Sequence, residues 1–191
     1  MQQLEAIASF FKRLEELEIP FMVGGSLASS AHGNPRQTND IDIVIRIGPD
    51  DVDRFFESFR EDFMVSRQSL MDALESDDEY RSFQISHFDS PLRIDCFVPV
   101  GTPYQLSEFS RRVRLEMMPG VTVPVSSAED IVLRKIQWYL LGGRVSDRQW
   151  NDIVGVLDMQ HGRTDDSYLD SWATRLGIKD VLEEARSQVV K

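Results

Sequence analysis

The first sixty residues alternate between helical and strand-like hydrophobic patterns. Apolar residues recur every three or four positions across residues 2–18, which predicts an amphipathic helix. Pro20 ends this helix, and the apolar run at residues 21–23 predicts a short strand after it. A proline and two acids at residues 49–51 open a second helix, because proline suits a first turn and acids suit its positive end. The predicted core face of that helix is Val52, Phe55, Phe56 and Phe59.

The middle of the chain favours strands. A weaker helical pattern surrounds residues 70–74, and two strands are predicted after it at residues 80–88 and 92–98. The Asp89-Ser90-Pro91 segment between these strands is typical of a tight turn, which predicts an antiparallel hairpin. Residues 121–125 predict one more short strand.

The pattern becomes helical after residue 125. The Ser126-Ser127-Ala128-Glu129 segment is a capping-box pattern, which predicts a helix that runs to about Leu141 and ends at Gly142-Gly143. Residues 146–190 predict two or three more helices. Core packing is the expected role of the large aromatic residues in this part, Trp138, Tyr139 and Trp150.

These elements together predict an α+β fold. Residues 1–125 would form a core with a small mixed β-sheet and flanking helices, and residues 126–191 a helical region packed on that core. A cleft between the two parts is the natural place for a ligand.

Composition limits the classes of function. At 191 residues the chain suits one compact domain, or a core with a helical extension. No apolar window is long enough to span a membrane, and the N-terminus lacks the basic and apolar pattern of a signal peptide. Cys96 is the only cysteine, so no internal disulfide can form, and we expect it to be a small core residue. These features predict a cytoplasmic protein with no membrane partner.

Charge argues against a broad surface for nucleic acid. The net charge is −11 and the isoelectric point is near 4.7, whereas such a surface is basic. A narrow basic channel is compatible with this net charge. The densest basic cluster is Arg111, Arg112 and Arg114, for which solvated surface is the simplest interpretation.

A glycine-rich turn follows the first predicted strand. Gly24-Gly25-Ser26 joins that strand to a short helix at residues 26–31. Two glycines let the backbone approach a ligand closely, and the free N–H groups of a helix N-terminus favour an anion such as phosphate. An ordinary tight turn is the structural alternative.

Three carboxylates lie in or beside apolar strands. Asp40 and Asp42 stand one residue apart at the start of the run 41–45, so both side chains point to one face of that strand. Asp95 stands in the middle of the run 92–98, where a carboxylate is costly without a partner. If the two strands are neighbours, the three acids converge and fit two Mg²⁺ ions. The alternative is that Asp40 and Asp42 cap a strand at the solvent edge.

At these residues the chain resembles the DNA polymerase beta-like nucleotidyltransferase superfamily. The resemblance is carried by the combination of Gly24-Gly25-Ser26, Asp40-Ile41-Asp42 and Asp95, and it covers residues 20–98. Residues 24–42 as a whole are similar to a bacterial branch that includes abortive-infection and toxin–antitoxin type nucleotidyltransferases. The resemblance implies a metal-dependent enzyme that moves a nucleoside monophosphate from an NTP to an acceptor hydroxyl.

The resemblance also implies a role for each residue of the combined motif. The Gly24-Gly25-Ser26 turn would hold the triphosphate of the NTP. Asp40 and Asp42 would bind two Mg²⁺ ions, or Mn²⁺ in their place. Asp95 would bind the catalytic ion and accept the proton of the attacking hydroxyl.

Four further residues are candidate nucleotide contacts on the same resemblance. Arg36 and Thr38 stand just before the acids, at positions that the branch uses to shape its site. Residues 127–135 resemble a helix of the branch that carries a nucleotide-contacting lysine, which makes Lys135 the candidate and a solvated lysine the alternative. Asp152 lies in a segment that matches the branch's later Arg-x-x-Asp-x-x-Asp element only loosely, and it is a candidate polar contact.

The sequence leaves the acceptor open. RNA, a protein side chain and a small molecule such as an aminoglycoside are all compatible with it, and toxin-type relatives imply an antitoxin protein as partner. The functional alternative is a non-catalytic module that keeps the fold and binds a nucleotide or a partner protein. Three costly acids favour the enzyme, because a binding module has no need of them.

Overall fold

A computed structural model of the chain describes residues 2–38 and 40–189. Asn39, which precedes the first acid, lies outside the described residues, as do residues 1, 190 and 191. The strands are β1 (Phe21–Val23), β2 (Asp40–Ile45), β3 (Phe63–Met64), β4 (Ser82–His87), β5 (Arg93–Phe97), β6 (Val113–Met118) and β7 (Val121–Val125). The helices are α1 (Gln2–Glu16), α2 (Gly25–His32), α3 (Val52–Phe59), α4 (Arg67–Glu75), α5 (Pro103–Ser110), α6 (Ala128–Leu141), α7 (Asp147–Met159), α8 (Asp166–Arg175) and α9 (Lys179–Arg186), with a 3-10 turn at Pro49–Asp51 before α3.

The seven strands form one mixed sheet in the order β3-β4-β5-β2-β1-β7-β6, which confirms the predicted α+β fold. β2 is antiparallel to β1 and parallel to β5, so the two acid-bearing strands are neighbours. β4 and β5 form the expected antiparallel hairpin. β3, β6 and α5 were not predicted; β6 is an edge strand in which apolar and polar residues alternate over 113–117 and every residue is at least partly exposed.

The two faces of the sheet differ in burial. The buried face of β2 and β5 consists of Ile41, Ile43, Ile45, Ile94 and Cys96. Phe83 of β4 lies on this face and packs against Phe55 of α3, with ring centroids 5.7 Å apart. The opposite face carries the acids and is only partly covered. The period-2 alternation of β2 and β5 therefore separates the hydrophobic core from a polar surface.

Helix α3 follows its predicted pattern with one exception. Val52, Phe55 and Phe59 are buried, as predicted. Phe56 is only partly buried, and the Arg67 guanidinium lies 3.6 Å from its ring centroid. A cation thus covers the ring that was predicted to face the core.

Helices α6 to α9 follow the last strand. Ser127 caps α6: its hydroxyl accepts the Asp130 N–H and donates to the Asp130 carboxylate at 2.7 Å. The capping residue is therefore Ser127 and not Ser126, whose N–H is paired with the Val23 carbonyl of the sheet. One hydrophobic core contains residues of the sheet and of these helices. The division at residue 125 stays a prediction.

Within the described ranges, no helix combines the length and the apolar character needed to cross a membrane.

Candidate active site

The glycine turn brings a helix N-terminus against an acid. The Gly24 N–H donates to the Asp42 carbonyl oxygen at 2.8 Å, so the turn lies beside the acid-bearing strand. Gly25 begins α2 with φ +53°, a left-handed conformation that favours glycine. A Cβ atom at Gly25 would lie 1.6 Å from Asp42 Oδ2. The Asp42 carboxylate accepts a hydrogen bond from the Ser26 N–H. The turn thus touches Asp42 through each of its three residues.

The acids of the two neighbouring strands are in register. Asp42 of β2 and Asp95 of β5 are paired directly across the parallel ladder. Gln84 of β4 is paired with Asp95 on the other side and donates to its Oδ1 at 2.6 Å. One polar row therefore crosses three strands, with two carboxylates side by side within it.

The charge around Asp42 is not fully balanced. Burial raises the pKa of Asp42 above its ordinary value, and the neighbouring carboxylates of Asp95 and Asp40 raise it further. The Ser26 N–H and the Lys135 ammonium act in the opposite direction without cancelling the rise. Two adjacent carboxylates in this state form a place that a cation would stabilise.

Asp40 shares the face of β2 but is turned toward solvent. Its side chain is 52% exposed, and its carboxylate lies 3.1 Å from Nε of Arg93, its cross-strand neighbour. The Thr38 hydroxyl donates to the Asp40 carbonyl and accepts the Asp40 N–H, which fixes the start of β2. Among the described residues, no three acidic, histidine or cysteine side chains are grouped closely enough to hold a metal ion. The structure brings Asp42 and Asp95 together and leaves Asp40 paired with Arg93.

Asp152 of α7 connects the C-terminal helices to the glycine turn. Its carboxylate accepts two hydrogen bonds of 3.2 Å from the Arg36 guanidinium and one of 2.7 Å from Lys135 Nζ. Arg36 also donates to the Ser26 hydroxyl. Although burial opposes the change, these hydrogen bonds lower the pKa of Asp152 below its ordinary value. Lys135 is 7% exposed, so the alternative of a solvated lysine is wrong.

A cleft of about 490 Å³ opens between the sheet and the C-terminal helices. This volume suits a small-molecule ligand. The glycine turn and Asp42 line it on one side, and one face of α6 lines it on the other. That face has the spacing i, i+3, i+4, i+7 and consists of Ile131, Arg134, Lys135 and Trp138. Arg134 is held by the buried carboxylate of Glu108 through hydrogen bonds of 2.7 and 2.9 Å.

One end of the cleft is aromatic. Trp138 is 37% exposed, and its ring centroid lies 4.9 Å from that of Tyr80 and 6.1 Å from that of Phe97. We call Tyr80, Phe97 and Trp138 the aromatic wall. The predicted core packing of Trp138 is wrong, because α6 turns this residue toward the cleft. Tyr139 packs against Trp150 at 5.2 Å and lies against the core, as predicted.

Sequence reasoning missed Gln84, Phe97 and Tyr80. Counting outward from the centre of the predicted Asp89-Ser90-Pro91 turn pairs residue 95 with residue 85, which is one residue away from the observed register, so the sequence does not identify Gln84. Phe97 follows Asp95 by two residues and shares its face. Tyr80 lies in a turn before β4, and no periodic pattern reports its position.

Comparisons with known proteins agree with this geometry. A profile of the AbiEii family, described as a nucleotidyl transferase toxin of a type IV toxin–antitoxin system, matches residues 10–185. No curated protein sequence matches the chain significantly.

Solved structures show the same fold at low sequence identity. Two are of ANT(2'')-Ia: a solution structure of this antibiotic-resistance factor and a crystal structure in complex with adenylyl-2''-tobramycin. The first shares 13% identity at a TM-score of 0.58, over 96% of this chain and 97% of that one. The second shares 13% identity at 0.63, over 92% and 99%. A nucleotidyltransferase-like antigenic protein from Paracoccidioides brasiliensis shares 18% identity at 0.52, over 100% and 94%.

Proposed function

The chain belongs to the AbiEii family of nucleotidyl transferase toxins of type IV toxin–antitoxin systems, and we propose that its cleft moves a nucleoside monophosphate from an NTP to an acceptor hydroxyl. Membership confirms the predicted superfamily and the prediction that the protein is a nucleotidyltransferase. The observation that carries the proposed reaction is the pair of in-register carboxylates, Asp42 and Asp95, beside the left-handed Gly25 turn. Asp42 lies against the turn that would hold the phosphates, so the carboxylates would adjoin the reacting group.

The triphosphate would lie at the charged end of the cleft. The N–H groups at the start of α2 and the Ser26 hydroxyl face this end, and Arg36 and Lys135 supply positive charge beside them. Asp152 holds both cations in place by its three hydrogen bonds. We therefore assign Asp152 to positioning Arg36 and Lys135.

Asp95 is the proposed base. Gln84 occupies its Oδ1, and none of the described residues donates a hydrogen bond to Oδ2. An acceptor hydroxyl would give its proton to Oδ2 as its oxygen attacks the α-phosphorus, and the bond from that phosphorus to pyrophosphate would break. The register places Asp95 beside Asp42, the acid that contacts the glycine turn where the phosphates would lie.

The acids fit a divalent cation. Asp42 and Asp95 offer hard carboxylate oxygens side by side, and the raised pKa of Asp42 supports an uncompensated negative site. Asp42 and Asp95 would hold Mg²⁺, with Asp40 as the further ligand that the resemblance implies. A bound Mg²⁺ supplies charge stabilisation to the phosphate oxygens. Asp40 is paired with Arg93, so its carboxylate would have to leave this ion pair to join Asp42 and Asp95.

The acceptor class and the partner follow from family membership only in outline. The type IV toxin–antitoxin family supports an antitoxin as a functional partner. RNA, a protein side chain and a small molecule remain the candidate acceptors, and the net charge of −11 makes a long nucleic acid the least favoured. A cytoplasmic site of action, where NTPs are supplied, completes the proposal.

Labelled nucleotide and cell extract test the reaction. Wild type is expected to transfer label from an α-labelled NTP to a component of the extract, and Asp42→Ala is expected to lose this transfer while keeping its fold. Wild-type transfer by Asp42→Ala would contradict the assignment. Thermal melting separates the enzyme from a binding module, because stabilisation by NTP should need both Mg²⁺ and Asp42. Metal-independent stabilisation would favour the module.

A further inference from the structure

The aromatic wall has no role in the proposed chemistry. Tyr80 and Phe97 both adjoin Trp138, each of the three is at least partly exposed, and all three line the cleft. Adjoining exposed rings in a concave site are typical of a surface that a ligand covers. Their flat faces suit a planar ring.

Two independent elements place the wall a short distance from the charged end. On β5, Phe97 follows Asp95 by two residues on the same face, a step of about 7 Å. On α6, Trp138 follows Lys135 by three residues, a rise of about 4.5 Å. Both elements lead from charged side chains to aromatic rings. A ligand whose phosphates lie at the charged end would therefore present a group at the wall across a spacer of about the size of a sugar.

A buried amide oxygen lies beside the wall without a partner. Gln149 of α7 lines the cleft, and its Oε1 is buried but accepts no hydrogen bond from the described part of the chain. Lys135 of α6 pairs with Asp152 of α7, and residues 142–146 connect the two helices. Trp138 lies three residues from Lys135 toward that connection, and Gln149 lies three residues from Asp152 toward it. Trp138 and Gln149 are therefore at the same height along the pair of helices. An unpaired buried acceptor is unfavourable, and a turn of the partly exposed Gln149 side chain toward the cleft would let this oxygen accept a hydrogen bond from an amino group on the ligand.

We propose that the aromatic wall stacks the nucleobase of the donor NTP, and that Gln149 Oε1 accepts a hydrogen bond from an amino group on the edge of that base. This inference rests on the proposed function, since it takes the triphosphate to lie at the glycine turn. Stacking tolerates every base because each has a π-face, whereas a hydrogen bond to the Gln149 amide depends on the groups at the edge of the base and therefore differs between bases. Trp138 therefore sets the affinity for the donor, and Gln149 sets the preference among bases.

The test compares donor affinity in wild type, Trp138→Ala, Gln149→Ala and a matched control, Trp172→Phe. Trp172 packs against Tyr104 at 5.1 Å and does not line the cleft. Calorimetric titration in Mg²⁺ uses each of the four NTPs and ribose 5-triphosphate, the same ligand without its base. Trp138→Ala should weaken all four NTPs about tenfold or more and leave ribose 5-triphosphate unchanged. Gln149→Ala should change the ranking of the NTPs, and the control should change neither.

Tryptophan fluorescence gives a second readout that does not depend on the stability of an alanine variant. An NTP should quench the emission of wild type and of Trp172→Phe, and ribose 5-triphosphate should not. Trp138→Phe keeps a ring for stacking, so it should lose this quench and retain most of the affinity.

The outcomes separate this inference from the function on which it rests. Equal affinity of wild type for NTPs and ribose 5-triphosphate overturns the base subsite and leaves nucleotidyl transfer standing. Unchanged NTP affinity in Trp138→Ala also overturns it, because the wall would then not contact the base. A wild type that binds neither ligand contradicts the proposed function itself, and the base subsite with it.

Discussion

A methyl group added at Gly25 would strike the carboxylate on which the proposed site depends. The new Cβ would lie 1.6 Å from Asp42 Oδ2 and 2.4 Å from its Cγ, whereas ordinary contact begins at 3.4 Å. The backbone at Gly25 has φ +53°, which an alanine adopts only with strain. Gly24 is the matched control, because a Cβ there would meet only the Asp42 carbonyl oxygen at 3.8 Å, and its φ is −119°.

The expected size of the effect follows from these distances. The left-handed conformation costs an alanine about 1 kcal/mol, and the overlap adds roughly 1–3 kcal/mol as the side chain of Asp42 is displaced. Gly25→Ala should therefore lower the free energy of unfolding by about 2–4 kcal/mol in all. Since a displacement of 1 Å in a catalytic group can reduce a rate about 100-fold, transfer should fall by at least that factor.

Two assays read these effects in Gly25→Ala and Gly24→Ala side by side. Urea unfolding should show the loss for Gly25→Ala only, with Gly24→Ala within about 1 kcal/mol of wild type. The rate of label transfer from an α-labelled NTP should fall for Gly25→Ala under conditions in which it is fully folded. Wild-type transfer by Gly25→Ala, or equal destabilisation by the two substitutions, would refute the contact between the turn and Asp42.

Three further predictions concern Asp152 and Cys96. Asp152→Ala leaves Arg36 and Lys135 without their shared partner and should lower the free energy of unfolding by about 3 kcal/mol in urea titrations. A loss below about 0.5 kcal/mol, which is typical of a surface substitution, would contradict the hydrogen bonds of Asp152 with Arg36 and Lys135. Because the folded pKa of Asp152 is lowered, its stabilisation is complete above about pH 5 and is lost as the pH falls through that pKa. The difference in stability between wild type and Asp152→Asn should therefore shrink in acid, and a constant difference from pH 7 to pH 3 would exclude this origin. Burial, and then the nearby Asp95 carboxylate, raise the pKa of the Cys96 thiol. A thiol reagent should therefore label Cys96 only after unfolding. Rapid labelling of the folded protein would contradict this burial and show that β5 opens.

The sequence predicts the elements whose burial follows a simple period. Residues 41–45 alternate between buried isoleucines and outward side chains in the structure, so the periodic pattern is sufficient to find β2 and to place Asp42 on its outer face. β6 has this alternation over residues 113–117 and could have been found in the same way, although its place at the sheet edge leaves its apolar side chains partly exposed. β3 has only two residues, which are too few to show a period. The capping residue of α6 moves from Ser126 to Ser127 because a sheet hydrogen bond, which local sequence does not report, holds the Ser126 N–H.

The candidate site shows the same division between local and tertiary information. The pairing of Asp42 with Asp95 requires β2 and β5 to be adjacent. Residue spacing does not show which strands are neighbours, so the sequence predicts the pairing only if these two are. The partner of Asp40 is Arg93 because the register of the parallel ladder places them opposite each other. Trp138 was expected in the core since large aromatic residues are usually buried, but only the packing of α6 shows that it faces the cleft.

The position of the label in the donor tests the proposed reaction most directly. Wild type, Mg²⁺ and cell extract are incubated with an NTP labelled either at its α-phosphate or at its γ-phosphate. Nucleotidyl transfer predicts that the α-label becomes attached to the acceptor and that the γ-label leaves as pyrophosphate. Asp42→Asn should neither label the acceptor nor release labelled pyrophosphate. Attachment of the γ-label to the acceptor, or α-label transfer by Asp42→Asn at the wild-type rate, would contradict nucleotidyl transfer at this pair of acids.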